Sequence, residues 1–597
     1  MIEPRIYRAA FLPALLALII AAFSLESRPA PLPQALAADV LFQGRAAAAS
    51  TTQIATAFPN RRPGSTGDRA LAAQVAQSFS HSGFTTVIDR FNAGDGTPLV
   101  NVVARRAGAS RRQIVVLAAR DAESVPDATG SAADTAALEE IVQVLQGTPS
   151  NKTITLASVD GSTLGDLGVH RLLAKLPDLG RVDAVLVMSN MAAPGPAVPP
   201  LETWSTGMQR VGVGLERTAA DSEEQEFGSR PGASGMAAQM IRLAFPVGIG
   251  AQGPLLESGI DALRFSGSGE LPPKRSERGM ASVNPNRIGS LGRAVLRTVF
   301  ALDDAPRSPA RGAGAYITVG DRLLPDWAIR LLALALIAPA LVASIDAFAR
   351  ARRRREPVAR FARWVLSAVL AVVAGLVIAK LIVVVGIVEQ APESPIPPEL
   401  QPLHGGDGAV LAVLAAIVAS AWFLGRRMVL GRGERRLDLA APGAGCAVAL
   451  VLSCLVLAVW FVNPYAALML VPALHLWLLL SIARMPDRGA TGLVLLVVGL
   501  LPLAAVALFY MHKLSLGPLG AIWYEFLLVT GGAVGVAAAL FACVFIGLFA
   551  CLVEMLVARA RRPRPAAPEA PPRPPVFGPG GYAGPGSLGG TESALRR

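Results

Sequence analysis

Acidic side chains gather at one place in the chain. Asp121, Glu123, Asp127 and Asp134 fall in a single loop and helix start. Carboxylates spaced this way can hold a weakly bound Ca²⁺ or Mg²⁺, or form a recognition patch. They also have an ordinary use, since Asp and Ser beside a helix start cap its free N–H groups and suit its dipole. That use accounts for them without a ligand. Asp160, Ser162 and His170 supply the residue types of a nucleophilic triad, but no G-x-S-x-G elbow lifts the serine, and closeness in sequence does not make a triad. Of the five histidines only His81 and His170 precede residue 325, and neither sits among the acids. The cysteines, Cys446, Cys454, Cys543 and Cys551, all lie in apolar segments and read as small buried residues. The first half of the chain therefore has neither disulfides nor a thiolate metal site.

The elements that must position these groups follow from periodicity. Leu71, Val75 and Phe79 recur at helical spacing after a loop that ends near Gly67. Short β-rich runs follow at 85–91, 99–105, 114–119, 153–158, 184–189 and 261–266. Helical patterns lie between several of them, at 131–146, 164–175 and 235–244, and a closing helix at 286–302. Strands alternating with helices predict an α/β domain whose central sheet, mostly parallel or mixed, is covered on both faces.

Over residues 55–305 this order resembles metallopeptidase family twenty-eight, the zinc exopeptidases. The resemblance implies a zinc-exopeptidase-like fold, and it rests on element order and spacing: an R-x-x-G-S opening at Arg61–Ser65, a strand ending in His-x-Asp, a Gly-Ala-x-Asp-Asn helix start, a strand ending in Glu-Glu before Gly-x-x-Gly, and a strand ending in Asp. In that family two zinc ions share a bridging carboxylate, and a glutamate acts as general base. Carried over residue by residue, the His-x-Asp position reads Ala119-Arg120-Asp121, where the Asp is kept and the His is alanine. The bridging Asp falls on Ala133, or on Asp134 if the register slips by one. The Glu-Glu pair falls on Ser162 and Thr163, ahead of Gly165 and Gly168. The last strand ends at Ser189 and Asn190, and 265–286 contains no histidine. Zinc needs three or four N or O donors, so the resemblance implies the scaffold with no metal and no catalytic residue. Arg120 would also place a positive charge beside any cation.

Beyond residue 325 the composition changes. Apolar segments at 327–347, 364–388, 408–424, 444–462, 464–482, 490–510 and 524–557, with an N-terminal one at 9–25, read as a transmembrane bundle of about eight spans. The longest, 524–557, should tilt or project. The net charge of +12 fits this topology: the stretches 1–8, 350–363, 426–438, 484–488 and 559–597 together carry +16, whereas the loop 389–407 has four acids and no Lys or Arg. Positive charge on one side predicts both termini in the cytoplasm and residues 26–326 outside a cell membrane. Basic residues mixed with aromatics on a soluble domain are missing, which excludes a nucleic-acid partner. The chain divides into an N-terminal anchor (1–25), a linker (26–50), the degenerate aminopeptidase-like domain (51–305), a second linker (306–326), a seven-span region (327–558) and a disordered Pro-, Gly- and Arg-rich tail (559–597). A signal peptide cleaved near Ala35–Ala38 is the alternative to the anchor. Lys380 and His475 are the ionisable residues inside spans, where an unpaired charge is costly. This plan is similar to that of the accessory subunit of the GPI transamidase, an architectural likeness without a transferable motif.

Three functions follow. The first is a non-catalytic pseudo-peptidase that binds a peptide, a protein or a lipid-linked ligand through its outer domain, with membrane lipid as its other partner and no cofactor. The second is a membrane-anchored zinc aminopeptidase whose ligands lie elsewhere. The third is a transporter-like bundle with a sensory outer domain.

Overall fold

A computed structural model describes residues 4–33, 41–122, 126–176, 178–306, 312–434, 437–482 and 490–561. Glu123, the cleavage stretch Ala35–Ala38 and almost all of the tail lie outside the described residues.

The first half folds around one mixed sheet. In chain order the strands are β1 (Glu26–Ser27), β2 (Thr85–Asn92), β3 (Pro98–Arg106), β4 (Ser110–Ala119), β5 (Lys152–Val159), β6 (Val182–Ser189), β7 (Leu201–Glu202), β8 (Ala262–Ser266), β9 (Tyr316–Val319) and β10 (Arg322–Pro325). The main sheet has the order β2-β3-β5-β4-β6-β8-β7. Its centre, β5-β4-β6-β8, is parallel, and β2, β3 and β7 join antiparallel at the edges. The strands β4, β5 and β6 carry apolar runs and are buried along most of their length, as central parallel strands must be. The expected strands thus form within a few residues of their predicted bounds.

The helices of this half are α1 (Pro4–Ala9), α2 (Leu12–Phe23), α3 (Gly44–Ala57), α4 (Thr66–His81), α5 (Ala133–Leu145), α6 (Leu167–Lys175), α7 (Val213–Phe227), α8 (Met236–Ala244), α9 (Gln252–Glu257) and α10 (Pro285–Asp304). The β4-α5-β5 crossover runs one way along the sheet and β5-α6-β6 runs back. Because such crossovers are right-handed, α5 and α6 lie on opposite faces. On one side α3, α5, α7 and α10 pack together, and α6 meets α9 on the other.

Two boundaries differ from the sequence reading. Helix α3 crosses residue 50, and Phe42, Ala47, Ala48 and Ile54 are buried in the domain core, so the core begins inside the expected linker 26–50. A Cβ on Gly44 would stand 2.6 Å from Gly289 Cα on α10, which shows how closely the two helices approach. The stretch 306–326 is no plain linker either. Strands β9 and β10 form a hairpin around Gly320 (φ 55°), and β10 pairs with β1. That small sheet ties the exit of α2 to the entry of the next helix.

The second half contains α11 (Asp326–Arg353), α12 (Val358–Val384), α13 (Gly405–Ser420), α14 (Arg426–Glu434), α15 (Pro442–Val462), α16 (Pro464–Ile482), α17 (Ala490–Lys513), α18 (Pro518–Gly531) and α19 (Val536–Ala560). Among the described residues seven helices are long and apolar enough to cross a membrane, and the N-terminal apolar helix Tyr7–Phe23 is shorter. This is a multi-pass membrane region. The predicted single span 524–557 is two helices. Gly532 (φ 101°) ends α18 in a left-handed cap, a conformation glycine adopts freely, and α19 supplies the span.

The halves are joined by side chains. Asn463, between α15 and α16, donates to the Leu243 and Ala244 carbonyls (2.9 and 3.1 Å) while its Oδ1 caps α16. Trp204, Leu243 and Ile317 share an apolar cluster with the membrane helices. Within the bundle Glu554 accepts from Arg426 (2.6 Å) and Trp364 (2.8 Å), and Asp346 pairs with Arg350.

Candidate functional site

The crossovers around β4 leave in opposite directions, so a crevice opens at the carboxyl ends of β4 and β6, where α/β sheets take ligands. Here it is a cavity of about 150 Å³. The end of β4 supplies Ala119 and Asp121, the turn after β5 supplies Ser162, Thr163 and Asp166, and the end of β6 supplies Ser189 and Asn190. Asp127, Ser131 and Asp134 enter from the start of α5, and Arg264, on β8, and Glu270 from farther along the chain.

Most of the residues carried over from the resemblance meet at this cleft. Ala119, Asp121, Asp134, Ser162, Thr163 and Asn190 all line it, while Ala133 is fully buried in the core beside it. Lys380 and His475 lie elsewhere, in the membrane region. Lys380 Nζ donates to the Thr530 carbonyl (2.9 Å), and His475 bonds Tyr7 Oη (2.7 Å) and the Leu336 carbonyl (3.0 Å).

Each retained acid is engaged. Asp121 accepts the Ser162 and Thr163 N–H groups (3.0 and 3.1 Å) and the Thr163 hydroxyl (3.1 Å). It therefore holds closed the turn where the paired glutamates would stand. Burial pushes its carboxyl up against the pull of those N–H groups. Asp134 accepts Met191 N–H (2.9 Å), so it braces the end of β6 instead of capping its own helix, and burial holds it well above the usual carboxylate range. Asp127 does cap, with Oδ2 2.9 Å from Ser131 N.

Arg120 turns away from the cleft. Its guanidinium is fully buried and grips Asp68 with two bonds of 2.8 Å, donates to the Val100 carbonyl (2.7 Å) and lies 3.8 Å from Asp160. It does not stand beside a cation position, contrary to the sequence reading, because Asp68 on α4 draws it under the sheet. Asp160 accepts Val100 and Gly161 N–H groups (3.0 and 2.7 Å), and burial, then repulsion from Asp121 and Asp68, raises it to about 8. His170 bonds Ser394 (2.9 Å), so Asp160, Ser162 and His170 form no relay.

Zinc does not fit these residues. Two positions are alanine, two are hydroxyl side chains and one is an amide, and the two carboxylates already accept backbone N–H groups. Among the described residues no group of three or more His, Cys, Asp or Glu could hold a metal ion.

Sequence reasoning missed three contributors. Asp166 (φ 57°) sits between two glycines and is 4% exposed; burial raises it to about 7. Arg264 is a charge in the buried strand β8. The third is the loop between α12 and α13. Its Pro395, Ile396, Pro397, Glu399 and Leu400 line the cleft, Glu399 pairs with Arg278, and Tyr524 holds the Ile396 carbonyl (2.9 Å). The signals were present: an acid flanked by glycines, a cation in an apolar strand, and a proline-rich loop between two apolar segments.

Fold and site together define a multi-pass membrane protein that carries an α/β domain with a cleft at its switch point. No family model and no curated protein matches the chain. Among solved structures it is similar to a glutaminyl cyclase from an Acidobacteriales bacterium, at 17% identity and a TM-score of 0.36, over 46% of this chain and 99% of that one. It is also similar to BSAP, a zinc aminopeptidase from Bacillus subtilis, at 14% identity and a TM-score of 0.33, over 45% and 98%. The LapA aminopeptidase of Legionella pneumophila gives 14% identity and a TM-score of 0.38, over 45% and 74%.

Proposed function

We propose that the protein is a non-catalytic, peptidase-like membrane protein that binds a ligand in the cleft of its outer domain and is anchored by its helical bundle. The observation that carries this reading is the engagement of Asp121, whose two oxygens hold the Ser162–Thr163 turn closed. A carboxylate so bonded is a structural brace, and its neighbours Ala119 and Ala133 can ligate nothing. The charge asymmetry of the connectors supports placing the cleft outside a cell membrane with both termini inside. The likeness of plan to the GPI transamidase accessory subunit makes a lipid-linked ligand one arm of the reading, beside a peptide or a protein.

The test is aminopeptidase turnover by the purified full-length protein, with and without added zinc and with a chelator. The reading expects no chelator-sensitive turnover. Turnover that zinc restores and a chelator removes would overturn it in favour of a membrane-anchored exopeptidase.

A further inference from the structure

The cleft holds a guanidinium whose bonding is incomplete. Arg264 is 5% exposed, yet among the described residues its guanidinium makes a single hydrogen bond, from Nη2 to the Glu270 carbonyl (3.2 Å), and its Nε has no partner. Among the described residues it forms no ion pair, although it lies near enough to Asp134, Asp166, Glu202 and Glu270 to favour their charged forms. A cation left this way in a protein interior is costly. The backbone also makes room for it. Gly250 (φ 103°) lines the same cavity, and a Cβ there would stand 2.7 Å from Arg264 Nη1.

In the same cavity the Asp166 carboxyl group, almost fully buried, has among the described residues no hydrogen bond that marks it as a brace, unlike Asp121 and Asp134. The cavity thus offers a guanidinium and a carboxyl group, each short of partners, and a bound ammonium would favour the ionised form of the latter. Ile249, Ala251 and Pro272 supply apolar lining, joined by Pro395, Ile396 and Pro397 from the loop between α12 and α13. At about 150 Å³ it falls below the several hundred Å³ typical of drug-sized ligands. An extended peptide would have to displace the loop.

We propose that this cavity binds a small zwitterion of the free α-amino acid type, its carboxylate on Arg264 and its ammonium on Asp166. The inference rests on the metal-free binding cleft and narrows its ligand. Arg264 offers the planar fork that matches a carboxylate, and the size limit favours glycine, alanine or serine over longer side chains.

The experiment is calorimetric titration of the full-length protein in nanodiscs with glycine, L-alanine and L-serine, against L-alaninamide and N-acetyl-L-alanine, which each lack one charge. Zinc content is measured on the same sample. The expected result is binding of L-alanine, with both analogues weaker by about tenfold or more, a loss of at least ~1.4 kcal/mol each. Arg264→Met should abolish L-alanine binding, and Asp166→Asn should weaken it. The analogue series on the unaltered protein decides the matter even if Arg264→Met fails to fold. Absence of binding by all three amino acids overturns the proposal, as does N-acetyl-L-alanine binding as tightly as L-alanine. Stoichiometric zinc would instead overturn the reading beneath it, whatever the titration gives.

Discussion

Replacing Arg120 by methionine removes the guanidinium that grips the buried Asp68 and lies beside Asp160. The guanidinium is fully buried and makes two 2.8 Å bonds to Asp68, one of 2.7 Å to the Val100 carbonyl and weaker ones to Ser158. Breaking such a pair by deleting one partner costs about 3–5 kcal/mol, because the remaining charge is stranded. A domain of this kind is stable by roughly 5–15 kcal/mol, so the loss is a large share. With each kcal/mol worth about 2–4 °C in a domain of this size, melting should fall by roughly 6–20 °C. Hydrogen–deuterium exchange of the full-length protein reads the effect locally, as faster exchange of the β4 and β5 amides than of the membrane helices. Adding Asp68→Asn to Arg120→Met should lose less than the two single changes together, by about 1–3 kcal/mol. Arg120→Met within about 1 kcal/mol of the unaltered protein, the scale of an exposed pair, would refute this reasoning.

Acidity gives a second prediction. Burial raises Asp160 and Glu223 to about 8, and Asp166 and Asp261 to about 7. Each holds a proton in the folded domain over a range where the unfolded chain has released it, so stability falls as pH rises from about 4 toward 8; the α/β domain should melt higher at pH 5 than at pH 8, and the opposite order would contradict these assignments. Gly292→Ala places a Cβ 2.2 Å from the Phe42 ring, and such overpacking should cost about 1–3 kcal/mol; a neutral result would remove residues 41–57 from the core. Glu399→Ala removes the pair with Arg278 and should loosen the loop over the cleft, read as faster limited proteolysis within 389–404, and unchanged cleavage would show that the loop is held by other contacts.

Much of the fold was legible because burial writes itself into periodicity. The cores of β4 and β6 are apolar on both faces, and Leu71, Val75 and Phe79 mark the inner face of α4. Helix α3 was not legible. Its Ala/Thr-rich run follows Gln43, which makes no capping side-chain bond, and the face it buries is defined only by packing against α10 and α5. The break at Gly531–Gly532 was visible as a glycine pair but lay inside an apolar run that masks it. At the cleft, the positions named from the resemblance gather almost entirely, since element order fixes where strand ends fall. Arg264, Asp166 and the 395–400 loop come together only through tertiary structure: one in mid-strand, one in a left-handed turn, and one from between two membrane helices more than a hundred residues away in sequence.

The central claim is that this cleft lacks the donors to grip a divalent metal. Its most direct test is elemental analysis of the full-length protein purified without chelator, repeated after equilibrium dialysis against zinc and alongside Asp121→Ala. The account predicts well under one tightly held zinc per chain, unaltered by the substitution. One or two zinc ions per chain, lost on changing Asp121, would contradict it.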